Sequence, residues 1–200
     1  MNWLAHLRLA PRAPLLRLGN LCGDFVRGVD LGSLHPELQR GIAQHRAIDH
    51  FADAHRLVRR SRDRLDPGFG RFSGVLIDVF YDHFLARDWR VHGDGGTLAE
   101  FAAMVHSLLD AHAPLLPWRL QQITPWMRQH AWLVSYAHVG GIDAVLQRMA
   151  NRVQRTTPLG QGAAQLRAHY DELGRDFAAF WPELETFAAT LHEPFGSEAQ

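Results

Sequence analysis

Residues 74–89, GVLIDVFYDHFLARDW, constrain the fold more than any other stretch of the chain. The densely apolar run from 72 to 89 is too long for an ordinary strand and predicts a buried helix. That helix carries Asp78 and Asp82 four residues apart, with His83 beside the second, among Leu76, Ile77, Val79, Phe80, Phe84 and Leu85. Two carboxylates on one face of a buried helix lose hydration and repel each other. They need a cation, a shared proton or an arginine, so the fold must bring such a partner to them.

Helical signals recur elsewhere. Residues 2–9 form a short apolar segment containing His6, and 15–29 is helix-compatible although Gly19, Gly23 and Gly28 punctuate it. Pro36 reads as the first-turn proline of a helix to about residue 51. A basic stretch, 55–65, ends before Pro67-Gly68. Thr97 and Glu100 predict a capping box ahead of Leu98, Phe101, Val105, Leu108 and Leu109 at helical spacing. Pro114 and Pro117 break the chain. Thr124-Pro125 predicts a helix start and Gly140-Gly141 its end, followed by a short amphipathic helix over 142–149. Leu166, Tyr170, Leu173, Phe177 and Phe180 form a stripe that Pro182 interrupts, before Leu184, Phe187 and Leu191 resume it. Alternating strand patterns are scarce. The pattern predicts an all-α, single-domain bundle of about seven or eight helices over 1–192, with a frayed tail at 193–200. Trp118, Trp126, Trp132 and Trp181 are predicted in the core.

At 200 residues, 46% apolar and 21% charged with zero formal net charge, the composition is that of a globular chain. Zero charge excludes a bulk basic nucleic-acid binder, though not a local patch. The single Cys22 excludes an internal disulfide framework and a Cys-rich zinc site, and reads as a small core residue. No apolar run reaches the roughly 18 residues of a membrane span. The start, MNWLAHLRLAPRAPLL, lacks the basic beginning and long apolar run of a signal peptide, which points to the cytoplasm.

The acidic residues are unevenly chosen. Up to residue 90 there are nine Asp and one Glu, although Glu is the better helix former. Asp30, Asp63, Asp66 and Asp88 read as turn or surface residues. Asp24, Asp49, Asp53, Asp78 and Asp82 lie in apolar surroundings or at helical spacing. In HRAIDHFADAH, His45 and Asp49 share a helix face that Asp53 extends. That pair is either a hydrogen-bonded surface pair or two ligands of one divalent cation. Imidazoles and carboxylates converging from separate helices suit Mn²⁺, Fe²⁺ or Zn²⁺. His6 in WLAHL and Asp24 in GNLCGDFVRG are single polar groups in apolar contexts. His92, His106, His112, His130, His138 and His169 read as surface or packing residues. Between Arg40 and Arg64 there are seven Arg against three Asp, with Arg56, Arg59 and Arg60 about one turn apart. This is either a solvated face or a patch for an acidic partner or phosphate.

Four strings together carry a resemblance: MNWLAHLRLA, the GN followed by DFVRG around Asp24, GIAQHRAIDHFADAH, and SGVLIDVFYDHFL. They resemble the acyl carrier protein phosphodiesterase family, strongly over residues 1 to about 90 and more diffusely to about 190. That family is similar to the all-helical HD-type metal-dependent phosphohydrolases. The resemblance implies hydrolysis of the phosphodiester joining 4′-phosphopantetheine to a serine of holo-acyl carrier protein, with Mn²⁺ as the metal. The carrier protein is small and strongly acidic, which suits the arginine patch.

Carried over by string, Asp24, His45, Asp49 and Asp78 become the implied metal ligands. Asp82, His83 and His6 become catalytic candidates, the two histidines as general acids for the serine alkoxide. Asp53 and His55 close the second string. Arg27 or Arg46 would offset charge on the phosphoryl oxygens, and Arg56, Arg59 and Arg60 would meet the substrate protein. Trp3, Cys22-Gly23, Ala54 and Arg56 depart from the family strings without removing a ligand candidate. An HD-type nucleotide phosphohydrolase, a non-catalytic carrier-protein-binding module and a helical interaction protein remain alternative readings. Oligomeric state is open.

Overall fold

The computed structural model describes residues 1–152 and 157–192. Every regular element among them is helical. The first part of the chain forms α1 (Trp3–Leu9), α2 (Pro14–Cys22), α3 (Pro36–Ala54), α4 (Arg56–Asp63) and α5 (Ser73–Arg87). The remainder forms α6 (Trp89–His92), α7 (Leu98–Ala111), α8 (Trp118–Gln129), α9 (Trp132–Ser135), α10 (Val139–Arg152), α11 (Gly162–Ala168) and α12 (Tyr170–Thr190). The all-α expectation holds. The described residues contain twelve α-helices rather than seven or eight, partly because short pieces such as α6 and α9 fill the connections. None of the described helices is long and apolar enough to cross a membrane. The predicted tail from residue 193 lies outside the described residues.

α5 is the buried helix that its sequence requires, with Leu76, Ile77, Val79, Phe80, Tyr81, Phe84 and Leu85 all enclosed. α12 lies against it. Phe177 packs on Tyr81 and Phe84 with ring centroids 5.5 and 5.9 Å apart. α2 and α3 meet backbone to backbone. A Cβ on Gly19 would lie 2.5 Å from the Leu38 carbonyl oxygen, and one on Gly41 would lie 2.3 Å from that of Leu16. This close approach brings the two helices that carry the candidate site into fixed register.

Three punctuation marks act differently from expectation. Pro125 lies inside α8 on an exposed side, and Thr124 Oγ1 donates back to the Leu120 carbonyl instead of capping a helix start. Gly140 and Gly141 belong to the opening of α10, while the preceding break falls at Ala131, whose φ is 44°. α12 runs through Pro182. That proline is exposed, whereas Phe177, Phe180, Trp181, Leu184 and Ala188 remain buried on the opposite side. An internal proline costs about 3 kcal/mol, and the continuous apolar face offsets it. The capping box at Thr97 and Glu100 is present as predicted. Trp132 and Trp181 are buried, as is Cys22, but Trp118 and Trp126 are 56% and 57% exposed. The prediction that all four tryptophans are core is corrected at those two.

Candidate metal centre

Four segments converge on one point. His45 and Asp49 lie one turn apart on α3, His6 comes from α1, Asp24 from the turn after α2, and Asp78 from α5. His6 Nε2 is 3.1 Å from Asp49 Oδ1, and His45 Nε2 is 3.1 Å from Asp49 Oδ2. Asp24 Oδ1 stands 3.7 Å from the same His45 nitrogen. The two imidazole rings stack at 3.8 Å. The α-amine of Met1 reaches Asp49 at 2.9 Å and Asp78 at 3.2 Å. Above the group lies a cavity of about 350 Å³ lined by Met1, Trp3, Asp24, Phe25, Asp49 and Asp78, among others.

Local sequence explains how each group is held. His45 Nδ1 donates to the Asn20 carbonyl at 2.8 Å, which fixes the tautomer and leaves Nε2 facing the carboxylates. Gly23 is glycine because a Cβ there would lie 2.3 Å from the His45 ring. Trp3 Nε1 donates to Asp24 Oδ2 at 2.8 Å. Asp82 accepts from the Leu4 and Ala5 amides at 2.7 and 3.0 Å. These are orphan donors of the first turn of α1, where a negative charge also suits the helix dipole. The α5 carboxylate thereby locks the helix that presents Trp3 and His6.

Burial and the neighbouring charges oppose each other at every group of the cluster. Burial pulls His6 down to about 4, and the adjacent His45 adds to the effect, so His6 is neutral at pH 7. Burial also opposes charge on His45, but Asp49, Asp24 and the Asn20 carbonyl outweigh it and raise its pKa. Burial tends to raise Asp49, yet His45, His6 and the amine hold it well below the usual carboxylate range. Burial raises Asp78, the Met1 amine only partly opposing it. The amine itself rises to about 11, because Asp78 and Asp49 outweigh its burial. Burial pushes Asp82 up to about 7 against its two backbone donors.

The residues fit a divalent cation. Ligand atoms of His6, His45 and Asp49 all lie within 4.8 Å of one another. Mixed imidazole and carboxylate donors are those of Mn²⁺, Fe²⁺ or Zn²⁺. An ammonium group already sits between Asp49 and Asp78. On His45 Nε2, a proton and a bound cation are alternatives.

Other candidates fall elsewhere. His83 is buried, with Nδ1 2.8 Å from the Tyr136 carbonyl and Nε2 2.9 Å from the Tyr170 hydroxyl, and it does not line the cavity. Asp82 is spent on α1. Asp53 is exposed and pairs with Arg62, while His55 caps α4 and meets Glu183 at 3.1 Å. Neither lines the cavity: α3 carries Asp53 out to solvent and Arg62, and His55 lies past the end of α3. In the arginine patch, Arg60 and Arg64 pair with the buried Asp176 of α12, and Arg56 lies 3.9 Å from Glu183. Arg27, Arg46 and Arg59 are exposed. Trp3, Asn20 and Gly23 escaped notice as site residues; the oddity of Trp3 in its string was the available signal, while the Asn20 contact uses a backbone carbonyl that no side chain announces.

Fold and site define a class: an all-helical protein with a His–Asp centre suited to a divalent cation. Residues 1–184 match the family model described as acyl carrier protein phosphodiesterase. The chain is 38% identical over 184 residues to an acyl carrier protein phosphodiesterase of Yersinia pestis, covering 92% of this chain and 95% of that one. A protein of the same name from Serratia proteamaculans is 36% identical over the same shares. No solved structure matches. The chain belongs to the acyl carrier protein phosphodiesterase family.

Proposed function

We propose that this protein hydrolyses the phosphodiester linking 4′-phosphopantetheine to the serine of holo-acyl carrier protein, releasing the apo form, with Mn²⁺ as its cofactor and the cytoplasm as its place of action. The observation that carries this reading is the convergence of Asp24, His45, Asp49, Asp78 and His6 beside one open cavity, in a chain of this family.

Asp24, His45, Asp49 and Asp78 would hold the cation, and His6 joins them as a ligand candidate rather than a general acid. A bound divalent cation supplies an activated water and offsets charge on the phosphoryl oxygens. The chain's own groups do the positioning. Asn20 orients His45, Trp3 orients Asp24, and Asp82 fixes the helix that bears His6. Trp3 and Phe25 give the cavity apolar wall beside its carboxylates. Arg27 and Arg46 remain the candidates for the phosphoryl oxygens. Arg56 and Arg59 present charge to an acidic protein, whereas Arg60 is committed to Asp176.

The test is the intact mass of holo-acyl carrier protein after incubation with the enzyme, with and without Mn²⁺. Loss of the phosphopantetheine mass only with metal is expected. An unchanged mass under every divalent cation, with the enzyme folded, would overturn the reading and favour a nucleotide phosphohydrolase or a binding module.

A further inference from the structure

The cavity at the centre adjoins a second space, and that one a third. The central cavity's residues Trp3 and Met149 also line a neck of about 30 Å³, together with Trp132 and Arg148. Trp132 and Arg148 in turn line an outer cavity of about 640 Å³ with Gln122, Ile123, Trp126 and Asn151. Shared walls set the three spaces side by side, in a row from α1 and α3 across α10 to α8. Trp3 links its ends: its Nε1 donates to Asp24, and its ring stacks on Trp132 with centroids 5.6 Å apart.

We propose that the three spaces form one trough that binds the pantetheine arm of the substrate, its phosphate end at the centre and its thiol end in the outer cavity. The proposal rests on the function above. The arm alternates apolar groups, a geminal dimethyl and methylenes, with a hydroxyl and two amides. The trough alternates in kind. Trp3, Trp132, Ile123 and Trp126 offer apolar and aromatic surface, while Gln122, Asn151 and Arg148 bring amide and guanidinium groups suited to amide carbonyls. Met149 at the neck is unbranched and adapts its shape, so a slender chain can pass where a bulky one is stopped. Trp126 is more than half exposed at the rim, with its ring stacked on His130 at 5.6 Å. A rigid exposed aromatic beside an open cavity is the kind of surface that ligands cover.

Pantetheine, which lacks the phosphate, isolates the trough from the centre. It is titrated calorimetrically into the wild-type protein, Trp126→Ala, Gln122→Glu and Trp118→Ala. Trp118 is an exposed tryptophan on the same helix outside the cavity lining, and its variant serves as the surface control. Binding to wild type and to Trp118→Ala with equal affinity is expected, with about a tenfold loss in Trp126→Ala. The KM for holo-acyl carrier protein should rise in Trp126→Ala more than kcat falls. Undetectable binding to the wild type, or equal affinity in Trp126→Ala, overturns the assignment. Failure of the proposed function reads differently, as an intact holo-carrier protein with every cation, and leaves the pantetheine titration to decide the trough by itself.

Discussion

The molecule holds two groups of carboxylates and basic side chains, one enclosed and one half-open, and they are built in opposite ways. Asp176 on α12 is almost fully enclosed and accepts from Arg60, Ser61 and Arg64, with Ser61 in turn accepting from the Tyr81 hydroxyl at 2.8 Å. Its charge is met by guanidinium groups that cannot deprotonate, so the group is electrically closed and staples α4 to α12. At the other group, Asp24, Asp49 and Asp78 share two histidines, one held neutral by burial, and one amine. Among the described residues no arginine forms an ion pair within it; Arg62, which acts on Asp78 at a distance, is paired with Asp53. A closed cluster holds helices together; carboxylates and imidazoles gathered beside an open cavity offer the donors that a cation needs.

The sharpest way to break this contrast is Asp49→Ala. It removes the carboxylate that touches both histidines, and hydrolysis of holo-acyl carrier protein should fall by at least about a thousandfold with the helical circular dichroism preserved. Retained turnover would remove Asp49 from the site.

Asp82→Ala sharpens the contrast because Asp82 acts through α1. The variant leaves two first-turn amides unmet, which should cost about 1–2 kcal/mol of stability. Displaced Trp3 and His6 should lower kcat by about tenfold or more. Unchanged stability in denaturant titration would show that the cap contributes nothing.

Asp176→Asn should do the reverse, lowering stability by about 2 kcal/mol while kcat at saturating substrate stays within about twofold. Burial alone would raise the Asp176 pKa, but Arg60, Ser61 and Arg64 outweigh it and hold it low. A depressed carboxylate stabilises the fold above its unfolded pKa and loses that contribution as pH falls through the folded value. The gap between wild type and Asp176→Asn should therefore be full at neutral pH, begin to shrink below about pH 4, and close only as pH falls past the depressed folded value. A gap that persists in acid would contradict the ion-pair account.

The smallest effect is expected at the surface. Arg59→Glu should raise the KM for holo-carrier protein a few-fold, more at low salt than at high, because exposed charges are screened. An unchanged KM would return Arg59 to an ordinary solvated position.

Much of this arrangement was legible from spacing. His45 and Asp49 at one-turn separation, and Asp78 inside an apolar helix, are the consequence of a 3.6-residue period that sequence displays directly. The string resemblance added Asp24 and His6, which periodicity alone left as isolated polar groups. Asp82 was legible as a buried carboxylate in need of a partner, but the partner is the α1 backbone, and amides carry no sequence signature. His83 lies apart from the cavity, where a backbone carbonyl, equally without a sequence signature, and Tyr170 satisfy it. Pro125, Gly140-Gly141 and Pro182 misled because local punctuation was weighed without the tertiary faces that run through it. The arginine patch divided into paired and unpaired members only once α12 brought Asp176 against α4.

The central claim is that the open cluster, and not the closed one, binds a divalent cation. Electron paramagnetic resonance of Mn²⁺ titrated into wild type, Asp49→Ala and Asp176→Asn tests it most directly. Wild type and Asp176→Asn should take up Mn²⁺ with equal stoichiometry and affinity, and Asp49→Ala should leave the ion free in solution. Equal uptake by Asp49→Ala, or none by wild type, would contradict the account.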